Sequence, residues 1–206
     1  MNQNMKDLKK KILETNFEQL FKKLNYAYFT KGSYNLNIIG VRNTTDDKIN
    51  EFDDFIVVDY KDSNGHWVRK LFSATTSPGL KSLKNLQNSK GCAILVPNQY
   101  RGCWIKGKHK GEYDALVQSK PVSVYRDFNK DSVLDKNKNS IDTGIFGINI
   151  HKAGKDSTYV DGWSAGCQVF KKSDDFDTFM KLVQKQLDNK LGTTFTYTLI
   201  NDTDLK

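Results

Sequence analysis

Arginine is scarce in this chain, although the chain is strongly basic. Only four of the 32 lysine and arginine residues are arginines, and the lysines are scattered among aspartates and glutamates. Proteins that read nucleic acid sequences usually depend on arginine for bidentate contacts to bases. The net charge of +8 therefore does not indicate specific nucleic-acid binding. It does favour encounters with an anionic polymer.

Cysteine pairs and long apolar runs are also missing. Cys92, Cys103 and Cys167 form neither a CxxC pair nor a Cys/His set with zinc spacing, so we expect reduced thiols and no zinc site. No run approaches the ~20 apolar residues that a membrane span needs, and we expect none. Residues 1–17 are polar and charged where a secretory signal has an apolar segment. We therefore expect no signal peptide.

The rest of the chain has the pattern of a mainly β domain. Helical spacing of apolar residues over 5–24 predicts an N-terminal amphipathic helix, and a second helix is predicted from Ser173, acting as its N-cap. Segments of period two separated by Gly, Asn and Asp turns predict strands, including 55–60, 67–73, 92–96, 103–106, 122–125, 146–150, 168–170 and 193–200. We expect a β-sandwich or barrel-like domain over 33–206, with a helical segment, 1–32, packed on it.

Residues 146–170, FGINIHKAGKDSTYVDGWSAGCQVF, combine a histidine and a cysteine in a pattern suited to catalysis. A predicted strand ends at His151, and a polar loop leads to Ser164-Ala165-Gly166-Cys167. A cysteine attacks acyl groups as the thiolate, and a neighbouring imidazole lowers its pKa or takes its proton. Glycine beside the nucleophile lets backbone N–H groups approach a developing oxyanion.

This segment resembles the catalytic segment of the L,D-transpeptidase catalytic-domain family, in which a strand-end histidine, a loop of a dozen or so residues and S-x-G-C follow one another. The resemblance implies an L,D-transpeptidase-type β domain with Cys167 as nucleophile and His151 as general base. It also implies that the Gly166 and Cys167 backbone contributes to the oxyanion hole and that Ser164 supports the loop. The same signature resembles proteins of bacteriophage genomes, which implies a phage-encoded member.

The function implied by this resemblance is cysteine-dependent acyl transfer or hydrolysis on peptidoglycan stem peptides, with no cofactor required. The family usually has Gly after the histidine and Arg or Asn two residues past the cysteine. Here Lys152 and Val169 stand at those positions, so both an amine and water stay open as acyl acceptors. The alternative is a virion structural or cell-wall-binding protein that keeps the fold without turnover and contacts other virion proteins. We expect the host cytoplasm before release, or the virion, as its location.

Two further groups are candidate binding residues. Trp163 and His109 are candidate substrate contacts, the former beside the S-A-G-C sequence and the latter flanked by glycines. Oxygen-bearing residues at alternate positions resemble the start of an EF-hand-type calcium loop, and the candidate ligands are Asp127, Asn129, Asp131, the carbonyl of Val133 and Asp135. Ser132 stands where such loops carry glycine and Lys138 where they carry glutamate, so an Asx-rich turn is the alternative.

Overall fold

The computed structural model describes residues 3–205, which form a closed eight-stranded barrel, a three-stranded sheet and four α-helices. The strands are β1 (Asn37–Arg42), β2 (Asp54–Lys61), β3 (Trp67–Thr75), β4 (Cys92–Leu95), β5 (Asn98–His109), β6 (Tyr113–Gln118), β7 (Val122–Asp127), β8 (Ile141–Gly144), β9 (Ile150–Lys152), β10 (Gln168–Phe170) and β11 (Thr194–Asn201). The helices are α1 (Gln3–Glu14), α2 (Phe17–Lys23), α3 (Leu80–Lys84) and α4 (Ser173–Asp188).

The barrel has the strand order β1-β11-β5-β6-β9-β10-β3-β2, and the smaller sheet has the order β4-β7-β8. Two neighbouring pairs in the barrel are parallel, β1 with β11 and β9 with β10. The prediction of a mainly β architecture is confirmed, in the form of a closed barrel rather than a two-sheet sandwich.

Alternate residues of β1 and β2 pack into two different cores. Ile38 and Ile56 belong to the main core, which also contains the apolar face of α4, whereas Ile39 and Val57 belong to a second core shared with α1 and α2. Successive side chains of a strand point to opposite faces. Both faces of these strands are therefore covered, which explains the continuous apolar run at 55–58.

The N-terminal helix predicted over 5–24 is wrong in one respect, because the chain forms two helices that break at Thr15 and Asn16. Asn16 has an extended backbone, and its side-chain oxygen accepts a hydrogen bond from the Gln19 N–H, so it caps α2. The guanidinium of Arg69 donates to the carbonyls of Ile12 and Thr15, at the end of α1. The buried apolar residues of α1 and α2 still pack into one cluster. The helical spacing of apolar residues therefore continues across the break and does not reveal it.

The strand predicted at 146–150 is also wrong. Residues 145–149 are irregular and β9 begins at Ile150, so His151 lies in the middle of a strand and not at its end. The side-chain Oε1 of Gln118 accepts hydrogen bonds from the N–H groups of Phe146 and Ile148. This distant side chain takes donors that a strand ladder would otherwise use.

Helix α4 follows the cysteine loop and begins at Ser173. The predicted cap is wrong, because Lys172 holds the N-cap position and its side chain makes no capping hydrogen bond. Asp174 and Asp175 lie in that turn, where the helix dipole favours negative charge. Over residues 3–205, we find no helix with the length and apolar character needed to cross a membrane.

Candidate active site

The loop that carries Cys167 joins the parallel strands β9 and β10, and other parts of the chain hold its backbone. The Gly79 N–H donates to the Ser164 carbonyl at 2.9 Å, and the Ala93 N–H donates to the Ala165 carbonyl at 3.2 Å. The two donors, Gly79 and Ala93, lie directly before α3 and in β4. The loop is therefore positioned by elements that lie far away in sequence.

Within the loop, Ser164 and Gly166 set the backbone before the cysteine. The fully buried Ser164 hydroxyl donates to the Cys167 carbonyl at 2.9 Å and accepts from the Gly166 N–H at 3.1 Å. Gly166 has φ 134°, and a Cβ there would lie 1.8 Å from the Ala93 carbonyl oxygen. The Gly166 N–H, expected in the oxyanion hole, is thus already bonded to Ser164. The Cys167 N–H has no partner within the described chain.

Cys167 directly precedes β10 and packs against the apolar cluster that contains Val169, on the side of the parallel β9–β10 pair where His151 lies. His151 pairs with Val169, two residues after Cys167, and residues two apart on an extended chain share a face. With strands about 4.8 Å apart and a rise of about 3.3 Å per residue, such a diagonal pair has Cα atoms roughly 8 Å apart. A cysteine and a histidine that lean toward each other can span this separation.

The tautomer of His151 is set by the carbonyl of the next residue. Its Nδ1 lies 2.9 Å from the Lys152 oxygen, and because a carbonyl only accepts, Nδ1 carries the proton and Nε2 a lone pair. The Tyr113 hydroxyl donates to the same carbonyl at 3.3 Å. Burial, and secondarily His109, lowers the pKa of His151 to about 3. The imidazole is therefore neutral near pH 7.

The Nε2 atom of His151 is not completely shielded from solvent, although the residue is only 2 % exposed. No buried polar side-chain atom in the described part of the chain lacks a hydrogen-bond partner. The hydrogen bonds of this ring within residues 3–205 all involve Nδ1, so Nε2 is unbonded and keeps some contact with solvent. This leaves an accessible base of the kind that general-base catalysis needs.

The half-buried Cys167 thiol rests against the segment before β9. It donates to the Gly147 carbonyl at 3.3 Å, and no hydrogen bond joins it to His151 among residues 3–205. Burial raises the pKa of Cys167 to about 11, opposed by the Asn149 N–H and the charge of Lys110. Thiol and imidazole are thus both neutral at rest. His151 can act as a base only once the thiol turns away from Gly147.

Of the two predicted substrate contacts, the structure brings His109 to the site. Its ring stacks on His151 with centroids 4.0 Å apart and planes 19° apart, and its Nδ1 lies 3.1 Å from the Asn149 side-chain nitrogen. Trp163 lies on the loop with 47 % of its surface exposed, and its backbone N–H donates a hydrogen bond to the Val160 carbonyl. A substrate role for Trp163 stays a prediction.

The candidate calcium loop is folded on its own polar groups. Asp131 accepts from the Val133 N–H, Asp127 accepts from the Asp135 N–H, and the Asn129 amide donates to Asp131 and Asp135. Residues 3–205 contain no group of three or more His, Cys, Asp and Glu residues placed to hold a metal ion. Ser132 has φ 69°, the left-handed conformation for which such loops use glycine.

Calcium binding at this loop stays a prediction with a direct test. If Asp127, Asp131 and Asp135 turn from these internal bonds onto a cation, calorimetry should record a heat of binding with millimolar calcium. Asp131→Ala should abolish that heat, because it removes a central ligand. An unchanged heat in this variant would place the calcium elsewhere, and no heat in the wild type would leave an ordinary Asx turn.

Cys167 is expected to react with iodoacetamide before Cys92 and Cys103. Burial raises the pKa of Cys92 to about 11 as well, so the thiolate fraction does not separate it from Cys167. Exposure separates them, because Cys92 and Cys103 are only 5 % and 7 % exposed whereas Cys167 is half-buried. The rate should rise about tenfold per pH unit below the thiol pKa, since only the thiolate reacts. Peptide mapping after brief alkylation measures this order, and equal labelling would contradict it.

Asn149, Tyr113 and Gly147 contact the site and were not predicted from the sequence. Asn149 and Gly147 lie in the irregular segment before β9, which was predicted as a strand, while Tyr113 begins β6, across the hairpin from His109. The proximity of His109 and Tyr113 in sequence is the one signal that could have linked them. Their contact with His151 depends on the pairing of β6 with β9.

No family model matches the chain, and the searches of curated proteins and of solved structures found no significant match either. A function is therefore assigned from the geometry around Cys167 and His151 and from the resemblance of residues 146–170.

Proposed function

We propose that the chain is a cysteine-dependent enzyme of L,D-transpeptidase type, encoded by a bacteriophage, that transfers or hydrolyses acyl groups of peptidoglycan stem peptides. One observation carries the catalytic part of the proposal. Cys167 directly precedes β10, two residues before Val169, which pairs with His151 on β9, and the Nε2 of His151 is unbonded within residues 3–205. The substrate class is supported by the resemblance of the His151 to Cys167 segment.

In the proposed reaction the thiol turns from Gly147 toward His151, and Nε2 takes its proton as Sγ attacks a stem-peptide carbonyl carbon. The Lys152 carbonyl stabilises the imidazolium through Nδ1–H, and the Cys167 N–H donates to the oxyanion. The peptide C–N bond then breaks, the leaving amine takes the proton from His151, and a thioester remains on Cys167. An amine or water attacks this thioester, and the thiol recovers its proton through His151.

Incubation with purified peptidoglycan, followed by mass spectrometry of the muropeptides, tests this function. Transfer would produce new cross-linked or exchanged stem peptides, and hydrolysis would produce shortened or uncoupled ones. Both outcomes should be absent with Cys167→Ala protein. An unchanged muropeptide profile with the wild type would overturn the proposal.

A second candidate is a virion structural or wall-binding protein without turnover, and the resting state of the thiol favours it. The Cys167 thiol is bonded to Gly147, and burial raises its pKa to about 11, as in a thiol that is not activated. Sedimentation with insoluble peptidoglycan separates the candidates. Equal binding by wild type and Cys167→Ala without any altered muropeptide would support the second one. Either candidate places the chain in the host cytoplasm before release, or in the virion.

A further inference from the structure

The proposed acyl chemistry requires hydrogen-bond donors for the oxyanion, and the cysteine loop offers fewer than expected. The Gly166 N–H donates to the Ser164 hydroxyl, which leaves the Cys167 N–H as the donor beside the nucleophile. Oxyanion holes generally combine two or more preorganised donors. A second donor must therefore come from outside the loop.

Asn149 determines which nitrogen of His109 carries the proton. The Asn149 Oδ1 accepts from the Gln118 N–H at 3.1 Å, so its Nδ2 is the atom that faces His109 Nδ1, also at 3.1 Å. An amide nitrogen only donates, so Nδ1 of His109 accepts. Burial and the charge of Lys110 lower the pKa of His109, and the neutral ring carries its proton on Nε2.

The Nε2–H of His109 has no hydrogen-bond partner within residues 3–205. The hydrogen bond of this ring within residues 3–205 is at Nδ1, and no buried polar side-chain atom of that range lacks a partner. The Nε2–H is therefore not completely shielded from solvent, although His109 is only 7 % exposed. The ring stacks on His151, and the backbone N–H of Asn149, whose side chain bonds to His109, also acts to lower the pKa of the Cys167 thiol.

The two stacked rings thus present opposite tautomers, with a bare Nε2 on His151 and an Nε2–H on His109. We propose that His109 is a second catalytic residue, whose Nε2–H donates a hydrogen bond to the carbonyl oxygen of the acyl substrate and shares the oxyanion with the Cys167 N–H. This inference deepens the proposed function and rests on it for the identity of the substrate.

Two reactions of the same thiol test the proposal. p-Nitrophenyl acetate acylates a cysteine through a tetrahedral oxyanion and releases p-nitrophenolate, whereas iodoacetamide alkylates it by displacement of iodide without an oxyanion. His109→Phe keeps an aromatic ring on His151 and removes the N–H. Its acylation rate should fall on the order of 10²–10³-fold, as for loss of one oxyanion donor. Its alkylation rate should stay close to that of the wild type.

His66→Phe is the matched control, because His66 lies in the β2–β3 turn with 79 % of its side chain exposed. Thermal unfolding checks that both variants fold. Wild-type acylation by His109→Phe would overturn the proposal. A parallel loss of acylation and alkylation would also overturn it, because it would show that the thiol itself had been displaced.

Asn149→Asp supplies a second test that keeps the imidazole. A carboxylate accepts from Nδ1–H, so the neutral His109 ring would lose its Nε2–H, while the imidazolium keeps both protons. Relative to wild type, acylation by this variant should fall as the pH rises through the pKa of His109, and a constant ratio would contradict the proposal. Apart from the new carboxylate at position 149, the titratable and charged groups that surround this ring in both proteins are Lys110, Glu112, Tyr113 and His151.

Failure of this inference is distinguishable from failure of the proposed function. Acylation at Cys167 without any change to peptidoglycan would overturn the proposed substrate and leave the role of His109 intact. A wild-type protein that is not acylated at Cys167 by the ester would overturn the role of His109. A variant His109→Phe that processes peptidoglycan and is acylated like the wild type would overturn the inference alone.

Discussion

Replacing Cys167 with alanine is expected to abolish processing of peptidoglycan while the protein stays folded. The nucleophile is lost, and neither Cys92 nor Cys103 can replace it, because both are buried in apolar clusters other than the one that Cys167 packs against. The structural effect should be small, on the order of 1 kcal/mol or less, since the half-buried thiol is a small group that donates a hydrogen bond to the Gly147 carbonyl. Muropeptide mass spectrometry and thermal unfolding measure the two effects.

Loss of the general base, His151, should lower peptidoglycan processing less than loss of the nucleophile, Cys167. His151→Ala is expected to lower the rate by about 10²–10⁴-fold, the usual contribution of a positioned general base. It leaves Cys167 and the backbone N–H of Cys167 in place, so residual activity should remain above that of Cys167→Ala. Processing by Cys167→Ala at the wild-type rate would rule out the mechanism, and wild-type activity of His151→Ala would remove His151 from it.

Gly166→Ala is expected to lower both stability and activity strongly. Its φ of 134° suits only glycine, and the new Cβ would meet the Ala93 carbonyl oxygen at 1.8 Å, a backbone atom that β4 holds in place. Backbone strain of this kind costs on the order of 1–3 kcal/mol, and the clash must be relieved by moving the loop. A shift of about 1 Å at the nucleophile can cost roughly 10²-fold in rate.

Gly162→Ala is the control in the same loop. Its Cβ would meet only the flexible end of the Lys81 side chain, at 3.3 Å, so activity and thermal unfolding should stay near wild type. The comparison is read from the melting temperature, the ester acylation rate and the muropeptide profile. If Gly166→Ala behaves like Gly162→Ala, the tight approach of Gly166 to β4 is not what positions Cys167.

Local patterns were sufficient to predict the mainly β architecture and the two main helical regions. The Asp62–Gly65 turn joins β2 and β3 in the expected hairpin, and α4 begins at the predicted residue. These features depend on neighbours in sequence, through turn chemistry, period-two alternation and helical spacing. The apolar run at 55–58 indicated a strand, but the helices that cover its second face were visible only in the structure.

The chemical types present at the candidate site were visible in the sequence, and their arrangement was not. Residue identity alone shows that Cys167 is preceded by glycine and that His151 lies upstream of it. Their shared face follows from the parallel register that pairs His151 with Val169, and the stacking of His109 follows from the closure of the barrel through β6 and β9.

The protonation states of His151, His109 and Cys167 could likewise be inferred only from the tertiary structure, because they depend on contacts between distant parts of the chain. Hydrogen bonds with the Lys152 carbonyl and the Asn149 amide determine the tautomers of His151 and His109. Burial lowers the pKa values of both histidines, and the Cys167 thiol donates a hydrogen bond to the Gly147 carbonyl. The irregular segment before β9 exists because Gln118, a distant side chain, takes its N–H groups. By itself, the sequence determined which groups are present and the local elements that carry them. The strand pairing decided which groups meet, because hydrogen bonds, burial and charge act between residues far apart in the chain.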